Sequence, residues 1–306
     1  MYHMKELSKT ILNIKLSEIA LFLGKSYRGE DILLDGFNLN NREIEADSVI
    51  SYCTSGRYFR KALKNSKVKA LIVNHELFDN LTDEYRHSYS FIISDSPEWD
   101  FYKAFIDCSE RYLRGIHYEN NIPKSTVIHE GAIIEEGVVF GENVIVGSNT
   151  VIKSGTIIGN NVTIGSCSVI GGEGFQLIKD DNGINHTIPH IGRTYIGNDV
   201  TIGDLAVVTK SLFEGYTKVM DNVKIDNFVH VSHNCVVGKN SVITGYSAMM
   251  GSSTIGKNVW IAPKCTIMNG VHVGDGAFVC ACSFVCLDVK PGSRVSGNPA
   301  QRVKDY

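Results

Sequence analysis

The chain has 306 residues, enough for two domains of ordinary size, and its net charge of -3 makes a nucleic-acid partner unexpected. No apolar run approaches the ~18 residues that a membrane-spanning helix needs, and the first residues lack the apolar core of a signal peptide. The eight cysteines show no disulfide framework, so we expect a protein of the reducing cytoplasm.

Residues 1–118 predict a small α/β domain. The stretch KLSEIALFLG (15–24) has apolar residues at helical spacing and ends on a glycine, as many helices do. VKALIVN (68–74) has the composition of a buried strand, and the segment 98–113 carries a second helical apolar stripe. Strands that alternate with helices are typical of an α/β domain.

A six-residue apolar period begins after residue 119. Eight bulky apolar residues from Ile128 to Ile170 each lie six positions after the last. The period is interrupted across 172–190 and then runs without a miss from Val219 to Val285. Such hexapeptide repeats stack as a parallel β-helix.

The predicted second domain is therefore a left-handed parallel β-helix over residues 119–306, with an extruded loop at 172–190. In the left-handed form three hexapeptides make one triangular coil, so residues 18 apart lie above one another. One coil cannot bury its own inner face, whereas stacked coils can. Chemistry must then come from residues outside the inward Ile and Val set.

Two histidines in IDNFVHVSHNCVVG (225–238) are candidates for such chemistry. His230 precedes the inward Val231 and should point outward, whereas His233 falls at the following turn. Imidazole ordinarily titrates near neutral pH, as a general base must. Asp226, seven residues before His233, is expected to hold its ring, as the carboxylate of a catalytic triad does.

Four blocks together resemble the UDP-3-O-acylglucosamine N-acyltransferases of lipid A synthesis. They are the opening helix at 15–24, ISYCTSGRYFRKAL (50–63), GGEGFQL (171–177) with HTIPHIGRTYIG (186–197), and IDNFVHVSHNCVVG. The resemblance implies an α/β domain that binds uracil, a left-handed β-helix and a homotrimer.

The resemblance also implies a reaction, the attack of a sugar amine on a thioester carbonyl. The acyl donor would be acyl-CoA or acyl carrier protein, used as a co-substrate, with no tightly bound cofactor. His233 maps to the family's catalytic histidine and would accept the amine proton. Gly251, 18 residues after His233, would offer its backbone N–H to the carbonyl oxygen as charge develops.

Substrate contacts are predicted in three places. Two aromatic residues flank CTSGR at the spacing with which the family sandwiches uracil, although the first also fits a core strand residue. Two asparagines lie close to the histidine, and three residues lie in or beside the extruded loop. The predicted substrate-binding residues are Tyr52, Tyr58, Asn227, Asn234, Phe175, His186 and His190. No ligand spacing indicates a metal site.

Three features depart from the family. Lys210-Ser211 replaces an Asp-Arg pair, Gly270 stands where the family has a second histidine, and the end VKPGSRVSGNPAQRVKDY resembles those of acetyl-CoA-dependent hexapeptide enzymes. These departures favour a short acyl group from CoA, moved to a UDP-amino sugar of a surface polysaccharide. One alternative is lipid A N-acylation with a long 3-hydroxyacyl group on carrier protein. The second alternative is a non-catalytic β-helix scaffold.

Overall fold

The computed structural model describes residues 12–39, 44, 46–115 and 120–302. The chain forms two compact units. The first consists of Met1–Ile116, Phe175–Ile191 and Phe213–Gly215, and the second of His117–Gly174, Gly192–Leu212 and Tyr216–Tyr306. The sequence division placed the extruded loop with the β-helix, whereas most of this loop groups with the first unit.

The first unit is an α/β domain, as predicted. Its strands are β1 (Ile14–Lys15), β2 (Tyr27–Arg28), β3 (Leu33–Leu34), β4 (Gly36–Phe37), β5 (Val49–Cys53), β6 (Val68–Val73) and β7 (Ser90–Ile93). Its helices are α1 (Leu16–Leu23), α2 (Gly56–Ala62), α3 (His75–Asp79), α4 (Asp83–Ser88) and α5 (Pro97–Gly115). The order β2-β7-β6-β5-β4 forms one sheet, parallel except for β2.

The predicted helices and strand of this unit are confirmed. Helix α1 buries Leu16 and Ile19 and ends at Gly24, whose φ of 66° is in the left-handed region that glycine adopts without strain. Strand β6 is the central, almost fully buried strand. Helix α5 buries Phe101 and Phe105. The apolar spacing of the sequence thus reports which helix faces are buried.

Two excursions of the chain complete the first unit. The strands Leu177–Lys179 and Asn185–Thr187 form an antiparallel hairpin. In the segment Phe213–Gly215, the side chain of Phe213 is fully buried, and its ring centroid lies 4.9 Å from that of Phe105. Glu214 is also buried and accepts a 2.7 Å hydrogen bond from Nδ2 of Asn38.

The second unit is the predicted β-helix, with three sheets that we call walls 1, 2 and 3 in the order in which the chain visits them. Their strands pair in parallel, except for the antiparallel pair of Arg294–Gly297 and Ala300–Arg302 in wall 1. Wall 1 contains Val127–Ile128, Ile145–Val146, Thr163–Ile164, Thr201–Ile202, Lys224–Ile225, Val242–Ile243, Trp260–Ile261, Phe278–Val279, Arg294–Gly297 and Ala300–Arg302. Wall 2 contains Ile133–Ile134, Val151–Ile152, Val169–Gly172, Val207–Thr209, His230–Val231, Ala248–Met249, Thr266–Ile267 and Phe284–Val285. Wall 3 contains Val139–Phe140, Thr156–Ile158, Arg193–Ile196, Tyr216–Val219, Val236–Val237, Thr254–Ile255 and His272–Val273.

The six-residue period places one apolar side chain per strand in the interior. Val231, Val237 and Ile243, from walls 2, 3 and 1, are all fully buried in the same core. Strands one coil apart pair in register, as Lys224 with Val242. Each buried branched side chain contributes about 1.5–3 kcal/mol relative to exposure, so the stacked coils stabilise one another.

Both interruptions of the period leave the β-helix at the same corner. The first runs from wall 2 at Gly172 to wall 3 at Arg193, and the second from wall 2 at Thr209 to wall 3 at Tyr216. We call the turns between these walls corner 2–3. The His233 turn belongs to this corner, in the coil that follows the second interruption.

Two further observations concern the cysteines and the membrane. All eight cysteines are free thiols in this structure. In the part of the chain that the structure describes, no helix is long and apolar enough to cross a membrane.

Candidate functional site

Corner 2–3 presents His233 directly after a wall 2 strand. Val231, at the end of the strand His230–Val231, points into the core and is fully buried. The chain then turns, and the His233 side chain is almost completely buried at 4% exposure. A histidine held in this way has one ring orientation, which a general base requires.

Asn234 is the residue that holds the His233 ring. Its Oδ1 lies 2.9 Å from Nδ1 of His233 and also accepts a 3.1 Å hydrogen bond from the backbone N–H of Leu212. Its Nδ2 donates to Oγ of Ser211 at 2.6 Å, and its own N–H donates to Oγ1 of Thr217 at 2.8 Å. Asn234 has a φ of 59°, a left-handed conformation that asparagine tolerates better than most residues.

These contacts determine which ring nitrogen is basic. A backbone N–H can only donate, so the amide atom that faces Leu212 is the oxygen. The same oxygen faces Nδ1 of His233 and can only accept, so Nδ1 must carry the ring hydrogen. In the neutral ring Nε2 therefore holds the lone pair.

Gly251 lies against this basic edge of the ring. His230 pairs with Ala248 in wall 2, so His233 and Gly251 occupy equivalent turns of successive coils. A Cβ atom on Gly251 would lie 2.6 Å from both Nε2 and Cε1 of His233. Any side chain at this position would collide with the ring, which explains the glycine.

The backbone N–H of Gly251 lacks the carboxylate acceptor that its counterparts have at several other turns. At the same position of other turns, the backbone N–H donates to a carboxylate in an adjacent coil. The donor and acceptor pairs are Ser166 to Asp204, Gly245 to Asp226 and Lys257 to Asp275. The Gly251 N–H has no acceptor among the described residues. It is therefore available to a developing oxyanion beside Nε2 of His233.

The predicted contact between Asp226 and His233 is not formed in the described structure. Asp226 follows the wall 1 strand Lys224–Ile225 and so lies at the corner between walls 1 and 2. Its carboxylate accepts hydrogen bonds from the N–H groups of Asn227 and Gly245. Because each hexapeptide takes the chain to the next corner, Asp226 and His233, which are seven residues apart, lie at different corners. The His233 ring contacts Asn234 instead.

Asn227 also belongs to the corner between walls 1 and 2. Its Oδ1 accepts a 2.7 Å hydrogen bond from the N–H of Asp204 in the neighbouring coil. The structure thus gives Asn227 a turn-capping role and places it away from His233, although the sequence groups the two together.

His230 lies on the outer face of wall 2, as its position before Val231 predicts. Neighbouring side chains partly desolvate its ring and lower its pKa. Among the residues that the structure describes, no three His, Cys, Asp or Glu side chains lie together as a metal site requires.

The two tyrosines of the predicted uracil site lie at the end of β5 and in the first turn of α2. Tyr52 is half-buried, its ring 5.2 Å from that of Phe101, and its hydroxyl donates to Oε1 of Glu98 at 2.7 Å. Burial, followed by the Glu98 contact, raises the pKa of Tyr52. Tyr58 is 46% exposed. The Tyr52 ring is therefore held by its neighbours, whereas Tyr58 keeps nearly half of its surface exposed, with Nζ of Lys61 5.7 Å from its ring centroid.

The loop residues predicted to contact substrate have different surroundings. Phe175 is 79% exposed. His186 lies with its ring 4.8 Å from that of Trp99 in α5, and its Nε2 is 3.0 Å from Oδ2 of Asp180. His190 is buried, with 1% exposure. Of these three residues, only Phe175 has most of its side-chain surface exposed to solvent.

Comparison with known proteins gives the family. A family model described as bacterial transferase hexapeptide (six repeats) matches residues 138–172, 216–248 and 252–286. The UDP-3-O-acylglucosamine N-acyltransferase of Campylobacter lari is 37% identical, over 96% of this chain and 95% of that protein. The chain belongs to the UDP-3-O-acylglucosamine N-acyltransferase family.

A second relative supports this membership. The UDP-3-O-acylglucosamine N-acyltransferase of Campylobacter curvus is 32% identical, over 93% of this chain and 92% of that protein. Among solved structures, the UDP-N-acetylglucosamine O-acyltransferase of Moraxella catarrhalis is 26% identical, with a TM-score of 0.41, over 61% of this chain and 73% of that one.

Within this N-acyltransferase family member, the sequence did not predict the contacts of Ser211, Leu212 and Thr217 with Asn234. Ser211 and Leu212 lie 23 and 22 residues before Asn234, because the second interruption lengthens this coil beyond 18 residues. The usual stacking rule therefore misses them. The one available signal was that Lys210-Ser211 departs from the family pattern.

Proposed function

We propose that the chain transfers an acyl group from a phosphopantetheine thioester to the amine of a UDP-linked amino sugar, with His233 as the general base. The observation that carries the proposal is the arrangement at corner 2–3. There Asn234 directs the ring so that the basic Nε2 faces Gly251, whose N–H has no acceptor in the described part of the chain. A base beside an oxyanion donor suits acyl transfer.

The reaction follows from this geometry. The amine nitrogen attacks the thioester carbonyl, a C–N bond forms, and the C=O electron pair moves to the oxygen. The N–H of Gly251 stabilises that oxygen, an interaction typically worth about 3 kcal/mol. Nε2 of His233 accepts the amine proton. The intermediate then collapses, the C–S bond breaks, and the imidazolium returns the proton to the leaving sulfur.

The nucleotide would bind on the first unit, between Tyr52 and Tyr58. Tyr58 is exposed enough to stack on a flat base, and Tyr52 is held by Phe101 and Glu98. Stacking on an aromatic ring contributes about 1–3 kcal/mol per base. A rigid partner reduces the entropy lost on binding.

The acceptor has two candidates. The names of the relatives, matched along nearly their whole length, favour UDP-3-O-acylglucosamine and hence lipid A synthesis. The replacement of the family's Asp-Arg pair by Lys210-Ser211 favours a different UDP-amino sugar of a surface polysaccharide. Acyl carrier protein would be the donor for the first acceptor and acyl-CoA for the second, in the cytoplasm. The homotrimer stays a prediction.

A donor and acceptor competition tests the proposal. The protein is mixed with acetyl-CoA, a 3-hydroxyacyl carrier protein, UDP-3-O-acylglucosamine and a set of other UDP-amino sugars, and the products are weighed by mass spectrometry. An N-acylated UDP-sugar supports the proposal, and its mass identifies donor and acceptor. If no amine is acylated while the protein is folded, the proposal fails and the scaffold alternative is favoured.

A further inference from the structure

We propose that Ser211 is a positioning residue, which holds the Asn234 amide so that Nδ1 of His233 keeps its hydrogen and Nε2 remains the base. The consequence for catalysis rests on the proposed function, whereas the effect on the ring tautomer does not. Ser211 stands at the first of the family departures noted in the sequence, and the structure gives this departure a local role.

Ser211 is itself held firmly. Its side chain is buried, with 1% exposure. Its N–H donates to the carbonyl of Arg193 at 3.2 Å, and its carbonyl accepts from the N–H of Gly192 at 3.0 Å. These two bonds fix the backbone where the second interruption begins. The hydroxyl oxygen is thereby placed 2.6 Å from Nδ2 of Asn234.

The amide of Asn234 is held at both ends. Leu212 donates to its oxygen and Ser211 accepts from its nitrogen, and these two partners are adjacent residues of the chain. A rotated amide would point Nδ2 at the Leu212 N–H, a donor facing a donor. With both contacts in place, the amide presents its oxygen, an acceptor, to Nδ1 of His233.

Loss of the Ser211 hydroxyl would leave a buried amide N–H without this acceptor. The amide keeps its contact with the Leu212 N–H but loses the contact that holds its nitrogen, so rotation becomes less unfavourable and Nδ1 of His233 has a less firmly fixed acceptor. The tautomer with the hydrogen on Nε2 becomes populated, and in that form Nε2 cannot accept a proton. We therefore expect Ser211→Ala to lower kcat by about tenfold and to leave KM within about twofold.

The decisive readout is the tautomer of His233, measured without substrate. The full chain is labelled with 15N-histidine, and the ring signals of its ten histidines are recorded by long-range 1H–15N correlation. Disappearance of one set in His233→Ala assigns the signals. We expect a protonated Nδ1 in the unaltered protein and a shift toward protonated Nε2 in Ser211→Ala.

Ser241→Ala is the matched control. Ser241 is equally buried, and its hydroxyl donates to the Gly256 carbonyl at 2.7 Å and accepts from the Val259 N–H at 3.0 Å. It therefore reports the cost of removing a buried β-helix hydroxyl at another corner. We expect Ser241→Ala to leave the His233 signals unchanged. Ser211→Thr, which keeps the hydroxyl, should also keep the Nδ1-protonated form and covers the case in which Ser211→Ala does not fold.

A double-mutant cycle with Asn234→Asp tests the route of the effect. A carboxylate has two equivalent oxygens, so amide orientation no longer exists in that background. We expect Ser211→Ala to shift the His233 tautomer in the Asn234 protein and to leave it unchanged in Asn234→Asp. The inference is overturned if Ser211→Ala leaves the ring signals unchanged. A tautomer shift without any acyl transfer would support the positioning role while the proposed function fails.

Discussion

Oδ1 of Asn234 lies 2.9 Å from Nδ1 of His233, and the backbone N–H of Leu212 donates to the same oxygen. The group that faces Nδ1 of the imidazole is thus an amide oxygen. A neutral amide fixes the tautomer without the charge stabilisation that a carboxylate gives to an imidazolium. A mutation of Asn234 can therefore change the proton affinity of the His233 ring while the ring keeps its orientation.

Asn234→Asp should move the pH dependence of the reaction upward. A carboxylate beside Nδ1 stabilises the imidazolium, so the ring holds its proton to higher pH. Because only the neutral ring accepts a proton, the acidic limb of the kcat/KM profile should shift upward by about one pH unit. The variant should lose most activity below neutral pH and recover it in alkaline solution. An unmoved acidic limb would mean that His233 is not the titrating base.

Gly251→Ala should disable the site without unfolding the β-helix. The added Cβ would lie 2.6 Å from Nε2 of His233, so the ring must move. We expect kcat to fall by about 100-fold or more, with little change in the thermal midpoint. Gly245→Ala is the matched control, because its Cβ would meet Asp226 Oδ2 at 3.1 Å, at a corner without His233. An equal loss of kcat in the two variants would show that Gly251 has no special role in the reaction.

Tyr58→Ala should weaken UDP binding by roughly tenfold or more, through the loss of one stacking face. Calorimetric titration with UDP measures this effect directly. Tyr246→Ala is a suitable control, because Tyr246 is also exposed but stacks on Phe228 at a β-helix corner. If Tyr58→Ala binds UDP with the unaltered Kd, the nucleotide site lies elsewhere.

Cys235 should resist alkylation in the native protein. Burial raises the pKa of its thiol to about 11, so below that pH the reactive thiolate is scarce. Cys167, Cys282 and Cys286 are exposed and should react first. Peptide mass spectrometry after iodoacetamide treatment at pH 8 reports both. Rapid labelling of Cys235 under native conditions would contradict the packing of this core.

The fold could be predicted largely because its signals are local and repeated. A six-residue apolar period places each of Val231, Val237 and Ile243 in the core, and helix α1 shows its buried face and its glycine end directly. Because one residue of each strand points inward, the positions of these residues in the sequence predict which side chains pack in the interior. The location of His233 at a turn follows from its distance to Val231.

The side-chain partners could not be predicted by the same means. Asp226 is close to His233 in sequence but lies one corner away, because each hexapeptide turns the chain to a new wall. Ser211 contacts Asn234 only because the second interruption shifts the coil register to 23 residues. Such contacts depend on the lengths of irregular segments, which carry no period.

The most direct test of the central claim is the turnover of His233→Ala with the donor and acceptor identified by mass spectrometry. We predict a loss of at least ~100-fold in kcat, with the fold retained and UDP binding unchanged, since the proposed nucleotide site uses Tyr52 and Tyr58. A variant that turns over at a near-normal rate would show that His233 does not accept the amine proton.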